Sequence, residues 1–209
     1  MAEPAAQLAR RLAGVVTDQR VLAAIAEIPR ERFVPEDQQT HAYDNTALPI
    51  DCDQTISQPL VVARMLELLQ LRAEDRVLDV GTGSGYHAAL LARLSSHVWT
   101  IERHAHLTEQ ARATIRDLDL ANIDFAVGDG CAGWPDEAPF DAINVAAATT
   151  VGGLAALEHQ LTDGGRLVAP VDDAGGQRLV LERRVGREIE RTWLEPVRFV
   201  PLVPQKYED

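Results

Sequence analysis

The chain has 209 residues, 46% of them hydrophobic, which is enough apolar material for one self-sufficient core. A formal net charge of −12 and a single lysine, Lys206, set it against phosphate backbones, so nucleic acid is excluded as an expected partner. Two widely spaced cysteines, Cys52 and Cys131, make neither a disulfide framework nor a zinc motif, so no metal is expected and a reducing cytoplasm is the expected location.

The N-terminus "MAEPAAQLARR" lacks a signal-peptide core, and the longest uncharged run, 142–157, is too short and too polar to span a bilayer. A soluble protein without a membrane partner is expected. Residues 5 to 28 read as two helices, with Leu8, Leu12, Val15 and Val16 on the first and Val21, Leu22, Ile25 and Ile28 on the second. Asp18 is placed to cap the second helix and Pro29 to close it. Residues 30–58 read as an ordered connection with a short strand near Ala47 to Ile50, and a connection of that length is usually functional.

From Pro59 the pattern is regular. Val61, Met65, Leu68 and Leu69 form a helix face, "RVLDVG" (76–81) a buried strand, "YHAALLARL" a helix, "HVWTIE" (97–102) a strand and "HLTEQARATIRDL" a helix. Strands continue at "IDFAVGD" (123–129), "FDAINVAA" (140–147) and "GGRLVAPV" (164–171), with a helix near Val151 to Leu161. Such alternation calls for a mostly parallel, doubly wound α/β sheet covered on both faces. "QRLVLERRVGREIERTWLEPVRFVPL" reads instead as an antiparallel strand pair turning at Gly186 and joining the sheet edge. The expected organisation is one domain over 1–209: an N-terminal helical segment with its connection (1–58), a regular α/β core (59–171) and a C-terminal strand pair with its tail (172–209). With no large apolar surface evident, a monomer is expected.

Gly81, Gly83 and Gly85 stand at a strand-to-helix junction, where the backbone must turn sharply and approach a ligand closely. Glu102, 21 positions after Gly81 at the end of the next strand, can accept hydrogen bonds from both hydroxyls of a ribose. The spacing G-x-G-x-G departs from the dinucleotide fingerprint G-x-G-x-x-G, which counts against a nicotinamide-dependent oxidoreductase. It looks like the S-adenosylmethionine loop of class I methyltransferases. "GDG" (128–130) adds to that likeness, since an acid at that point of those enzymes recognises the adenine edge; alone it is a turn-forming Asp-Gly pair.

The ordered strings "PRERFVP" (29–35), "AYDNTALPI" (42–50), "QTISQP" (54–59), "VLDVGTGSGY" (77–86), "IER" (101–103), "GDG" followed by "GW" (128–134), "APFDAI" (138–143), "GGRLVAPV" (164–171) and "VRFVPL" (197–202) resemble the protein-L-isoaspartate O-methyltransferase family over most of the chain. The resemblance implies a Rossmann-like class I methyltransferase fold. It also implies methyl transfer from S-adenosylmethionine to the free α-carboxylate of L-isoaspartyl residues in damaged protein, leaving S-adenosylhomocysteine. The ester then closes to a succinimide whose hydrolysis restores some aspartate. Carried over by residue, Gly81, Thr82, Gly83 and Ser84 pass the methionine part of the cofactor, Glu102 with the adjoining Arg103 holds the ribose side, and Asp129 and Gly130 face the adenine. Thr55, Ile56 and Ser57 lie over the cofactor beside the acceptor, with Ser57 matching the active-site serine. The segments containing Ile50, Val200 and Pro201 resemble walls of the peptide cleft.

A carboxylate acceptor, with a reference pKa of roughly 3.3 to 3.9, is ionised at neutral pH, so the reaction needs no general base. Alignment and exclusion of water carry the catalysis, and Ser57 Oγ is suited to donate a hydrogen bond to one acceptor oxygen. Thr55-Ile56-Ser57-Gln58 also has the form of a capping box, worth about 1 kcal/mol, and the segment is expected both to cap a helix and to cover the cofactor. His104 and His106 are expected at a surface helix start, Cys131 as packing near the adenine and Trp134 as a loop anchor.

The chain departs from the family at Asp51, Cys52 and Asp53, where glycines are usual, and at Thr149 and Thr150, where prolines are common. Two carboxylates near an anionic acceptor repel it unless they point away. This keeps two alternatives in view: a relative that methylates one dedicated peptide partner, such as a ribosomal natural-product precursor, and a non-catalytic nucleoside- or peptide-binding protein.

Overall fold

The computed structural model describes residues 3–204; the last five residues of the expected C-terminal tail lie outside them. Two N-terminal helices, α1 (Glu3–Leu12) and α2 (Gln19–Glu27), lead the chain. Asp18 caps α2 as expected, its Oδ1 accepting from Arg20 N at 2.8 Å. The connection that follows holds two 3-10 turns, Arg30–Phe33 and Glu36–His41, and a two-residue pair, β1 (Leu48–Pro49) with β2 (Thr55–Ile56).

After α3 (Pro59–Leu69) come β3 (Arg76–Val80), α4 (Tyr86–Leu94), β4 (His97–Glu102), α5 (Ala105–Arg116), β5 (Ile123–Val127), β6 (Phe140–Val145), α6 (Ala155–Glu158), β7 (Leu161–Asp173), β8 (Gly176–Val185) and β9 (Glu188–Val197). Among the described residues, β3 to β9 form one sheet in the order β5-β4-β3-β6-β7-β8-β9. The first five are parallel, and β8 and β9 add antiparallel at the edge. The strand order reverses between β3 and β6, the place where open α/β sheets bind ligands beyond the strand ends.

Two cores clothe the sheet. Val77 of β3 joins the core made with α1 to α4, while its neighbours Leu78 and Val80 join the opposite core with Trp99, Phe140 and Leu157. That split is the period of two along a strand buried on both faces. The helix expected near Val151 to Leu161 is shorter than its span: a 3-10 turn at Val151–Leu154 precedes the four-residue α6. Gly152 and Gly153 are poor helix formers at the point where it would start.

The capping box is not formed. Gln58, not Thr55, is the N-cap of α3, and it makes no side-chain cap bond. Pro59 at the first helical position disfavours helical backbone at Gln58, whose ψ is 142°, so the helix cannot extend back to Thr55. The cap comes from Asn45, whose Oδ1 accepts from Leu60 N at 3.0 Å.

Candidate active site

The glycine loop turns out of β3 with Gly81 at φ 92° and Gly85 at φ 89°, both in the left-handed region that side chains resist. A Cβ on Gly85 would lie 2.9 Å from Ala111 Cβ, so glycine also lets α5 pack closely against the start of α4. Beneath the loop, Asp79 is fully buried and accepts from Asn144 Nδ2 and from Thr100 Oγ1, both at 2.8 Å. Thr100 Oγ1 in turn lies 2.6 Å from Thr82 Oγ1. This chain ties β3, β4 and β6 to the loop at the strand ends. Burial pushes the Asp79 carboxyl up to about 6.

Glu102, 6% exposed, closes the other side of the loop. Its Oε2 accepts from Gly83 N and its Oε1 from His104 N, both at 3.0 Å. Thr55, Ile56, Ser57, Gly81, Thr82, Gly83, Ser84, Glu102, Arg103, Gly130, Val200 and Pro201 line one cleft, of about 770 Å³ counting its open mouth. Val200 and Pro201 reach it because the tail pairs with the end of β6: Ala148 N donates to Val200 O at 2.8 Å and Leu202 N to Ala148 O at 2.7 Å.

Two expected site residues stand beside the cleft. Asp129 directly precedes Gly130, and its Oδ1 accepts from Cys131 N at 2.8 Å. Ile50 lines an adjoining hollow with Phe33, Asp51 and Ser84, and its Cδ1 lies over Gly83. A second groove, walled by Gln58, Val61, Arg198 and Phe199, meets the first at Thr55, Ser57, Ala146 and Val200. Ser57 therefore stands where the two hollows join, and its hydroxyl makes no hydrogen bond among the described residues.

The departures at 51–53 have a local geometry. Gln54 N donates to Asp51 O at 3.2 Å around Cys52 (φ 59°) and Asp53 (φ 56°), the paired left-handed conformation for which glycine is the usual residue. Asp51 is turned onto α5, where its Oδ2 meets His106 Nε2 at 3.0 Å and Gln110 Nε2 at 2.8 Å. His104 is the N-cap of α5, and no group of three metal-ligating side chains occurs among the described residues. Cys131 lies outside the residues lining the cleft; burial and the Asp129 charge push its thiol up to about 11, far from a nucleophilic thiolate at neutral pH. Trp134 packs against the second core as a loop anchor.

Three residues of the site were not read from sequence. Tyr86 and His87, in the first turn of α4, line the cleft, and buried Arg30 sits behind it. His87 Nε2 is buried without a partner among the described residues, and burial, aided by the Arg30 charge, pushes the imidazole down to about 4. The only advance signal was a polar residue inside an apolar helix run.

Glu102 is a buried carboxylate bonded to the Gly83 amide at a strand end, where an acid can accept hydrogen bonds from ribose hydroxyls. The family model for protein-L-isoaspartate (D-aspartate) O-methyltransferases matches residues 6–207. The chain belongs to that family. It is 53% identical over 188 residues to the protein-L-isoaspartate O-methyltransferase of Aeromonas salmonicida, covering 90% of this chain and 91% of the relative. The Maricaulis maris family member is 50% identical over 190 residues, covering 91% and 89%. A solved protein-L-isoaspartate O-methyltransferase superposes with a TM-score of 0.86 at 27% identity, covering 96% of this chain and 65% of that one. A Plasmodium falciparum family structure in complex with S-adenosyl-L-homocysteine superposes with a TM-score of 0.83 at 25% identity, covering 95% and 98%. The fold is thus that of the class I methyltransferases, with the antiparallel edge and N-terminal helices in place.

Proposed function

We propose that the chain methylates the α-carboxylate of L-isoaspartyl residues in damaged proteins and peptides, using S-adenosylmethionine and releasing S-adenosylhomocysteine. The observation that carries this reading is the position of Ser57, an unengaged hydroxyl at the junction of the cleft with the glycine loop and the groove beside the tail. When bound, S-adenosylmethionine would supply an electrophilic methyl group, and because the acceptor is already a carboxylate the chain's residues need move no proton.

The chain's own residues orient and desolvate. Gly81, Thr82, Gly83 and Ser84 take the methionine part, Glu102 the ribose hydroxyls with Arg103 at the rim, and Gly130 the adenine side with Asp129 behind it. Ile56, 4% exposed, presses an apolar wall over the site, and Thr55 flanks it. Ser57 Oγ donates to one acceptor oxygen and turns the other toward the methyl group. Val200 and Pro201 form the peptide side of the junction, and Ile50 buttresses the glycine loop from the adjoining hollow.

Asp51 is held on α5 by His106 and Gln110, and neither Asp51 nor Asp53 lines the cleft or the groove that meet at Ser57, so these carboxylates do not argue against an isoaspartyl acceptor there. We assign the three segments 1–58, 59–171 and 172–209 to one domain and place it in the cytoplasm as a monomer, without nucleic-acid or membrane partners. No helix of the described residues is long and apolar enough to cross a membrane. The direct test is incubation with labelled S-adenosylmethionine and an isoaspartyl peptide. A base-labile methyl ester supports the assignment; cofactor binding without ester formation makes the chain a binding protein.

A further inference from the structure

Arg30 is an arginine with no exposure at all. Its Nε donates to Ala42 O at 2.8 Å and its Nη2 to Ser57 O at 2.7 Å, so one guanidinium grips both ends of the connection that carries β1 and β2. The guanidinium carbon lies 4.9 Å from the centroid of the Tyr86 ring, and Tyr86 is the first residue of α4 after the glycine loop. Phe33 fixes that ring from the side, edge-on at 5.4 Å.

Arg30 has no carboxylate partner among the described residues, and its Nη1 is buried without a hydrogen bond. Its charge is met instead by two carbonyl oxygens and the Tyr86 ring, three groups from separate segments that a neutral side chain could not hold together. What the fork supplies is geometry, since a planar guanidinium fixes two carbonyls and one ring face in a single rigid unit.

We propose that Arg30 is a positioning residue for methyl transfer: it registers the Ser57 main chain against the glycine-loop helix and thereby sets the Ser57 hydroxyl relative to the methyl donor. This rests on the reading of Ser57 given above. The acceptor is held from the Ser57 side and the donor from the glycine-loop side, so the grip that joins those sides controls their alignment. A misplacement of about 1 Å can cost on the order of a hundredfold in rate.

The test is a double-mutant cycle with Arg30→Lys and Ser57→Ala, read by kcat on an isoaspartyl peptide and by calorimetric affinity for S-adenosylhomocysteine. Arg30→Lys keeps the charge but not the fork, so kcat falls about tenfold or more while product affinity stays within about twofold. In the Ser57→Ala background the same change has less than about a twofold further effect. Multiplicative losses, or a parallel loss of S-adenosylhomocysteine affinity, overturn the proposal for Arg30 alone. Full activity of Ser57→Ala instead removes the Ser57 reading and this inference with it. Should Arg30→Lys fail to fold, Arg30→Gln, which removes the buried charge and the fork and keeps one donor, is taken through the same cycle with the same criteria.

Discussion

The Gly83 amide donates to Glu102 Oε2 at 3.0 Å, joining the glycine loop after β3 to the acid that ends β4. One carboxylate therefore both shapes the loop and lines the cleft. Glu102→Gln places an amide N–H where two backbone donors already converge and removes charge-assisted acceptance. Hydrogen bonds to charged groups contribute about 1.5–3 kcal/mol, so affinity for S-adenosylhomocysteine should fall roughly ten- to a hundredfold by calorimetry. Unchanged affinity would mean the ribose is held elsewhere.

Ser57 is expected to act on turnover rather than on cofactor binding. Ser57→Ala should lower kcat on an isoaspartyl peptide by roughly ten- to a hundredfold, with affinity for S-adenosylhomocysteine nearly unchanged. Loss of both in proportion would make Ser57 a cofactor residue only.

Asn45 caps α3 from fifteen positions upstream of Leu60. Removing the cap in Asn45→Ala should cost about 1 kcal/mol and lower Tm by about 2–4 °C in thermal unfolding. Gln58→Ala, which removes no cap bond, should leave Tm where it was; equal effects at the two positions would contradict this assignment.

Asp79 and His87 tilt the pH dependence of stability in opposite directions. Burial raises the folded Asp79 carboxyl from its ordinary 3.8 to about 6, so the folded chain holds that proton longer. The contribution is complete below about pH 4 and is lost as pH rises through about 6. Burial, aided by the Arg30 charge, lowers His87 from 6.5 to about 4, so its contribution is complete above about pH 6.5 and is lost as pH falls toward 4. Asp79→Asn, whose amide can still bond Asn144 and Thr100, should make stability climb more steeply from pH 4 to 6. His87→Gln should make it fall over the same window, each change being roughly 1–3 kcal/mol by urea denaturation. Parallel profiles for the two variants would refute both assignments.

The sheet was legible because its strands are nearly continuous apolar runs and its helices have a clear face, and both signals are local. Glu102 was legible from its distance to Gly81, a spacing that the strand and helix lengths impose. What escaped reading depends on contacts between distant segments. The short strand near Ala47 to Ile50 was legible as β1, but its two-residue partner β2 carries no periodicity, Asn45 caps a helix it does not adjoin, and the pairing with Ala148 that brings Val200 to the cleft joins segments far apart in the chain. Arg30 sits in "PRERF", where three charged residues in a row suggest a solvated turn, since arginine is rarely buried. Thr55-x-x-Gln58 was misread because the restriction that Pro59 places on its predecessor outweighs the capping pattern.

The central claim is a carboxyl methyltransferase whose acceptor is the isoaspartyl linkage itself. The most direct measurement is kcat/KM for several isoaspartyl peptides of unrelated sequence, each beside its aspartyl twin, with ester formation followed by mass spectrometry. The site described here predicts that every isoaspartyl peptide is methylated and that the twins are not. Methylation of a single sequence regardless of its linkage, or of the twins equally, would contradict it.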